Sequence, residues 1–235
     1  RKTNPCYGIE KYKEHPRDPG ILTEEELECL GTAIRQYDEE YYYISTPSHQ
    51  KKAIEKQRIN RCTPYVTGAI RMIILSGARK NEILHLKWKD IDLRYKFIRL
   101  QSSKTGQKTI YLSPPMIELL NSIPRMEGNP YVFCGKKQGQ PLDNIKDAWG
   151  KIRKAAGMEH WRLHDFRHNY ASTAVLDGCH LMVVGKILGH KNTKTTERYA
   201  HLANTPVQLA NDAVSLQIAA SLYAGEKRNS EIPKY

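Results

Sequence analysis

The chain has 235 residues, enough for one sizeable domain with appendages and a real hydrophobic core. It carries 37 Lys and Arg against 25 Asp and Glu, a net charge of +12 with a pI near 9.4, and that excess favours a polyanionic partner through counterion release. The most apolar run, 65–78, is too short to cross a bilayer and contains Arg71, and no helix sets a Lys/Arg face against one of Trp, Phe and Leu, so the membrane classes are excluded.

The five cysteines, Cys6, Cys29, Cys62, Cys134 and Cys179, are scattered without a C-x-x-C. This argues against a disulfide framework or a structural zinc site and fits a reducing cytosol. No signal peptide is visible, and Arg1 is not a starting methionine, so a piece of a longer cytoplasmic chain is expected.

Residues 1–20 hold Pro5, Gly8, Pro16, Pro19 and Gly20 among Lys and Arg, and read as a linker or tail. The first helix starts at Thr23, an N-cap with Glu26 three residues on, and Leu27, Leu30 and Ile34 are expected as its buried stripe. A basic run from Lys51 to Arg61 follows three tyrosines and reads as a solvated face. Thr63-Pro64 opens the next helix, in which Val66, Ala69, Ile70, Ile73 and Ile74 mark a core face. Gly77 ends it. Arg79 follows in the first turn of another helix, where backbone N–H groups and a guanidinium make an anion site, and Glu82 sits in the same turn to pair with it.

Asp90 to Asp92 begin a turn, and 96–101 and 108–112 alternate like paired strands around Ser103-Lys104-Thr105-Gly106, a hairpin with Lys104 near its tip. Pro114-Pro115 start a helix, 131–133 is an apolar run expected as a third strand, and 142–156 reads as a helix with Ile145, Trp149 and Ile152 inward. Taken together the pattern is mainly α with a small antiparallel β-sheet.

The stretch from His164 to Tyr199 carries the chemistry. It reads H-D-F-R-H at 164–168, L-G-H at 188–190 and E-R-Y at 197–199. Arg167 can fork two N–H bonds onto phosphate oxygens, His164 and His190 can exchange protons near neutral pH, and the Tyr199 hydroxyl can attack phosphorus. Phe166, Tyr170, Ala174 and Val175 are expected to bury the helix that follows His164, leaving His164 and Arg167 on its other side. His160, His164 and His168 stand at i, i+4 spacing, but no H-E-x-x-H or third ligand class accompanies them, so no metal site is expected.

In the order Arg79, Lys104, His164-x-x-Arg167, His190, Tyr199, the motifs resemble the catalytic domain of the tyrosine recombinases, the phage-integrase family, over about residues 20–201. The resemblance implies a tyrosine recombinase catalytic-domain fold at 21–201. It makes residues 1–20 a linker from an upstream DNA-binding domain, and 202–235 a C-terminal helix and tail that either packs on its own domain or is exchanged between protomers. It further implies Tyr199 as nucleophile forming a 3′-phosphotyrosyl link, and His164 as base. Arg79, Arg167 and His190 would be charge stabilisers, Lys104 the general acid on the leaving 5′ oxygen with Lys108 its nearest competitor, and Glu82 the support for Arg79. Neither a divalent metal nor another cofactor is implied. The implied partner is double-stranded DNA, bound by a homotetramer in the bacterial cytoplasm or nucleoid, with an accessory bending or directionality protein. The same residue set also fits a type IB topoisomerase-like relaxation, and a DNA-binding regulator with a relict site is a further alternative.

Overall fold

A computed structural model describes residues 20–43, 63–103 and 106–222. Residues 1–19 of the expected linker at 1–20, the whole basic run from Lys51 to Arg61, Lys104 and the tail beyond residue 222 lie outside the described residues.

Helix α1 spans Glu24–Tyr43. Its start is a reciprocal capping box, Thr23 N–H donating to Glu26 Oε2 at 2.9 Å and Glu26 N–H to Thr23 Oγ1 at 3.2 Å, a cap of the kind that stabilises a helix by about 1 kcal/mol. Leu30, Ala33 and Ile34 are buried as the spacing requires, but Leu27 is 41% exposed. The inward stripe is shifted by part of a turn, because α1 packs on α2 (Thr63–Ser76) and on α5 (Lys146–Ala155) along the 30–34 face.

Helix α2 is central. Ala69, Ile70, Met72 and Ile73 have almost no exposed surface, and it touches α1, α4 (Pro114–Ser122) and α6 (Asp165–Leu176). Burying each large aliphatic side chain is worth about 1.5–3 kcal/mol, so this helix is the natural anchor for whatever leaves its end. What leaves it is Gly77, then the short helix α3 (Lys80–Leu84).

The sheet is antiparallel in the order β1 (Ile91–Asp92), β2 (Phe97–Ser103), β3 (Gly106–Tyr111). Ile98 faces Ile110 and both point into the core, while Phe97 faces Tyr111. The third strand is therefore Ile91–Asp92, expected to be turn, and not 131–133. That apolar run crosses the core through a bend, tied by single bridges Lys87 to Tyr131 and Cys134 to Pro141. Tyr131 N–H donates to Asn129 Oδ1 at 3.1 Å, Val132 N–H to the Leu86 carbonyl at 2.8 Å, and the Phe133 carbonyl accepts from Leu142 N–H at 2.8 Å, so these polar groups are satisfied without a ladder.

Helices α6 and α7 (Leu181–Leu188), with the short α8 (Lys194–Glu197) and the 3₁₀ turn Ala200–Ala203, enclose a second, smaller apolar cluster. It consists of Ala171, Val175, Val184, Leu188 and the ring of Tyr199. Helix α9 (Asn204–Leu222) extends beyond it with Val207, Leu209, Val214, Leu216 and Ile218 each more than half exposed.

Candidate active site

Arg79 is the N-cap residue of α3. Its backbone N–H donates to Glu82 Oε2 at 3.0 Å and its Nη1 to Glu82 Oε1 at 2.8 Å. Glu82 is buried, and its Oε2 also accepts from Lys108 Nζ at 2.8 Å. Burial pushes the Glu82 carboxyl up, but the bonds and charges of Lys108 and Arg79 outweigh it and hold the group below its ordinary value. One carboxylate thus fixes a guanidinium from α3 and an ammonium from β3 across the domain. Arg79 itself is half-buried.

Lys108, buried on β3, is committed to this pair. Lys104 is outside the described residues.

Arg167 is 4% exposed, which corrects the expectation that it lies on the open side of its helix. Helix α6 runs between the main core and the second cluster, so it has no fully open side at that position. Two bonds compensate for the buried charge: Nη1 donates to the Gly77 carbonyl at 2.8 Å and Nη2 to the Leu188 carbonyl at 2.7 Å. These carbonyls lie at the C-terminal ends of α2 and α7, where helix carbonyls lack partners and the helix dipole is negative. Arg167 therefore caps two helices at once, and three of its five N–H donors remain for a ligand. Burial and the nearby Arg79 charge bring its ordinary value of 12.5 down to about 10, so it stays a cation at neutral pH.

Gly77 has φ +58, and a Cβ there would sit 2.9 Å from Tyr170 Cγ and 3.1 Å from Leu188 Cδ2. Gly77→Ala is expected to destabilise the domain by about 2–4 kcal/mol, the left-handed backbone cost plus overpacking, readable as a lower urea midpoint at unchanged slope.

The L-G-H motif is a helix stop. Gly189 adopts φ 69, its N–H donates to Lys186 O at 3.1 Å and His190 N–H donates to Gly185 O at 2.9 Å. This double bond pattern ends α7 in a Schellman motif and fixes the direction in which His190 leaves. His190 Nδ1 shares a hydrogen bond with Thr196 Oγ1 at 2.8 Å, leaving Nε2 for a ligand. Burial first, then the charges of Arg167, Arg79 and Lys108, lower its value to about 4, so the ring is neutral.

Tyr199 is 5% exposed. Among the described residues its hydroxyl has one hydrogen-bond partner, His168 Nδ1 at 2.6 Å. Burial raises the phenol above its ordinary value while Arg198 and Arg167 pull against it. His164 is exposed, stands edge-on to His168 with ring centroids 5.1 Å apart, and makes no hydrogen bond to Tyr199. Burial and Arg167 lower its value.

The structure thus couples Arg79, Glu82, Arg167, His164, His190 and Tyr199 into one electrostatic neighbourhood. It adds His168 and Thr196, to which the sequence analysis gives no catalytic role, and it places Lys108, the competitor of Lys104, in the Glu82 pair. The adjacency of His168 to Arg167 was the available signal. Among the described residues no group of three His, Cys, Asp or Glu side chains is arranged to hold a metal ion.

The phage integrase family model matches residues 45–205, more than half of the sequence. The chain belongs to the phage integrase family. Tyrosine recombinase XerA of Saccharolobus solfataricus is 33% identical over 138 residues, 57% of this chain and 44% of that protein. The crystal structure of XerH bound to difH before cleavage superposes with a TM-score of 0.59 at 24% identity, over 83% of this chain and 53% of that one. The catalytic domain of bacteriophage HP1 integrase superposes with a TM-score of 0.53 at 20% identity, over 82% of this chain and 94% of that domain. These likenesses establish a mainly helical tyrosine recombinase catalytic-domain fold with a small antiparallel sheet. The integrase-family chain spans 32% to 64% of the length of the first curated relatives it matches.

Proposed function

We propose that this chain is the catalytic part of a site-specific DNA recombinase, an integrase, which cuts and rejoins duplex DNA through a 3′-phosphotyrosyl intermediate. The observation that carries the reading is a buried tyrosine hydroxyl in the electrostatic reach of Arg167, itself coupled to Arg79. Two anchored guanidiniums make a seat for one phosphodiester, and a phenol beside that seat is its nucleophile.

In this reading Arg79, Arg167 and His190 hold the non-bridging oxygens and steady the charge that grows on phosphorus. Lys104 protonates the leaving 5′ oxygen. Tyr199 keeps the phosphodiester energy in its covalent link, and the 5′ hydroxyl of a partner duplex attacks that link to complete exchange, with no cofactor. Glu82 supports the seat by holding Arg79. The DNA-bound relatives, such as the XerH complex with difH, support double-stranded DNA as the partner, and the net charge of +12 fits it.

The domain limits belong to the same proposal: residues 1–20 lead from an upstream DNA-binding domain, 21–201 perform catalysis, and 202–235 pass to a neighbouring protomer in a homotetramer. The exposed apolar residues of α9 support that exchange, because a helix folded back on its own domain would bury them. An accessory directionality protein and a cytoplasmic or nucleoid location complete the proposal. Among the described residues no helix is long and apolar enough to cross a membrane.

The test is covalent capture. A library of nicked duplexes with a randomised core is incubated with the native chain, and denaturant-resistant adducts are recovered and sequenced. The expected result is an adduct on a defined sequence with the native chain and none with Tyr199→Phe. Relaxation of plasmid without sequence preference would indicate a topoisomerase instead, and no adduct with any sequence would indicate a regulator.

A further inference from the structure

The Tyr199 hydroxyl and the imidazole next to Arg167 are in direct contact, and the roles of two histidines follow from that. His164, the histidine of the H-x-x-R motif, makes no hydrogen bond to the phenol, whereas His168 Nδ1 lies 2.6 Å from the phenolic oxygen. The two side chains come from elements 31 residues apart, and the Tyr199 ring is held by Ala171, Val175, Val184 and Leu188, so the pairing is built by packing and is not a local accident.

A buried phenol must donate its proton somewhere. Arg167 and Arg198, the charged neighbours felt by Tyr199, carry only donors, and His168 is the acceptor at hand. With its own proton on Nε2, a neutral His168 receives the Tyr199 O–H at Nδ1.

We propose that His168, and not His164, takes the phenolic proton of Tyr199 as the tyrosine attacks phosphorus, and returns it when the phosphotyrosyl link is broken. The assignment rests on the recombinase reading above. In cleavage the Tyr199 O–H bond breaks and an N–H bond forms at His168 Nδ1. The phenolic oxygen bonds phosphorus, and the bond from phosphorus to the 5′ oxygen breaks with its electron pair on that oxygen. The 5′ oxygen then takes a proton from the Lys104 ammonium, leaving an amine. Religation runs each transfer backwards.

The surroundings make this transfer conditional on substrate. At rest His168 is held down to about 4 by burial first, then by Arg198 and His164, against the pull of Asp165, with Arg167 acting in the same sense as Arg198. His190 is the remaining titratable neighbour. Against a phenol raised by burial, so weak a base leaves the proton on Tyr199. A phosphodiester seated on Arg79 and Arg167 brings negative charge into the same ring of cations, offsets their effect on the imidazole, and strengthens the base as the phosphorane forms. The nucleophile is thus uncharged and parked until DNA arrives.

Single-turnover cleavage of the nicked duplex recovered by covalent capture tests this with the full chain. His168→Ala is expected to slow cleavage by about 10²–10⁴-fold at saturating DNA with unchanged DNA affinity. Added imidazole should restore part of the lost rate for His168→Ala and none for Tyr199→Phe. His168→Asn keeps an acceptor oxygen near the Nδ1 position but cannot carry a proton, so it should be as slow as the alanine variant. It should also lose the acid limb of the pH profile, where protonated His168 cannot accept. Replacing the bridging 5′ oxygen by sulfur, which leaves without an acid, should rescue Lys104→Ala and not the His168 variants. Native-like cleavage by His168→Asn, or imidazole rescue of His164→Ala in place of His168→Ala, overturns the assignment. Failure of the native chain to form any adduct overturns the recombinase reading itself, which separates the two failures.

Discussion

Glu82→Ala is expected to lower the unfolding free energy by about 3–5 kcal/mol and to abolish adduct formation, although Glu82 touches no substrate. The carboxylate accepts three hydrogen bonds, two from Arg79 and one from Lys108, whose side chain is 3% exposed. Removing it strands a buried ammonium beside Arg79 and Arg167, two further cations. Burial already lowers the Lys108 value and Glu82 pulls it back up, so the variant lowers it further and β3 loses its tie to α3. Pairing Glu82→Gln with Lys108→Met should recover most of the stability, because no buried charge is left without its partner at those two positions and the amide oxygen can still accept from Arg79, yet it should not recover catalysis, since Arg79 would still lack its carboxylate. Urea unfolding of both variants checks the first part and covalent capture the second. The same group sets an acid limit. Its folded value lies below 4.5, so its contribution is present above that ordinary value and is lost as pH falls through the folded one. His168 and His190, lowered from 6.5 to about 4, add stability that is full above 6.5 and declines towards pH 4. The native urea midpoint should therefore be level above about pH 6.5 and fall steadily below it. A midpoint that rises on acidification would contradict the burial of both imidazoles.

What was legible in the sequence divides along the range of the interaction. The Thr23–Glu26 box, the inward face of α2, the β2–β3 hairpin and the stop at Gly77 are set within a few residues, and all are where the pattern puts them. Leu27 and the 131–133 run were misread because hydrophobicity says that a segment meets apolar surface and not which surface it meets. Within the candidate site, Arg79 with Glu82 was readable as an i, i+3 pair, but Lys108, 26 residues beyond Glu82, was not. His168 was invisible as a partner of Tyr199 for the same reason: the contact spans 31 residues and depends on how α6 and α8 meet over the second cluster. Motif order identifies the participants in such a site, and only packing says which proton faces which lone pair.

Arg167→Lys is expected to reduce cleavage by at least about 10²-fold while leaving the chain folded, and Arg167→Ala to cost about 2–4 kcal/mol of stability as well. The difference follows from geometry. The planar guanidinium reaches the Gly77 and Leu188 carbonyls with separate nitrogens and still offers a fork to a ligand. An ammonium is a single point with three donors. Spent on the two carbonyls it keeps α2 and α7 capped, but it presents one donor where the phosphate needs two. Alanine leaves both carbonyls without the buried donors that meet them. Charge separates the variants further. The site lowers Arg167 from 12.5 to about 10, and a lysine there starts from a lower ordinary value of about 10.4, so the same burial brings it within reach of neutral pH. Cleavage by Arg167→Lys should then weaken as pH rises above neutrality, through loss of the cation, whereas the native chain keeps its guanidinium charged over that range. Single-turnover rates from pH 6 to 9, with circular dichroism to establish folding, decide the matter. A lysine variant that cuts at the native rate would mean that Arg167 serves only to cap the two helices, and Arg79 alone would have to seat the phosphate.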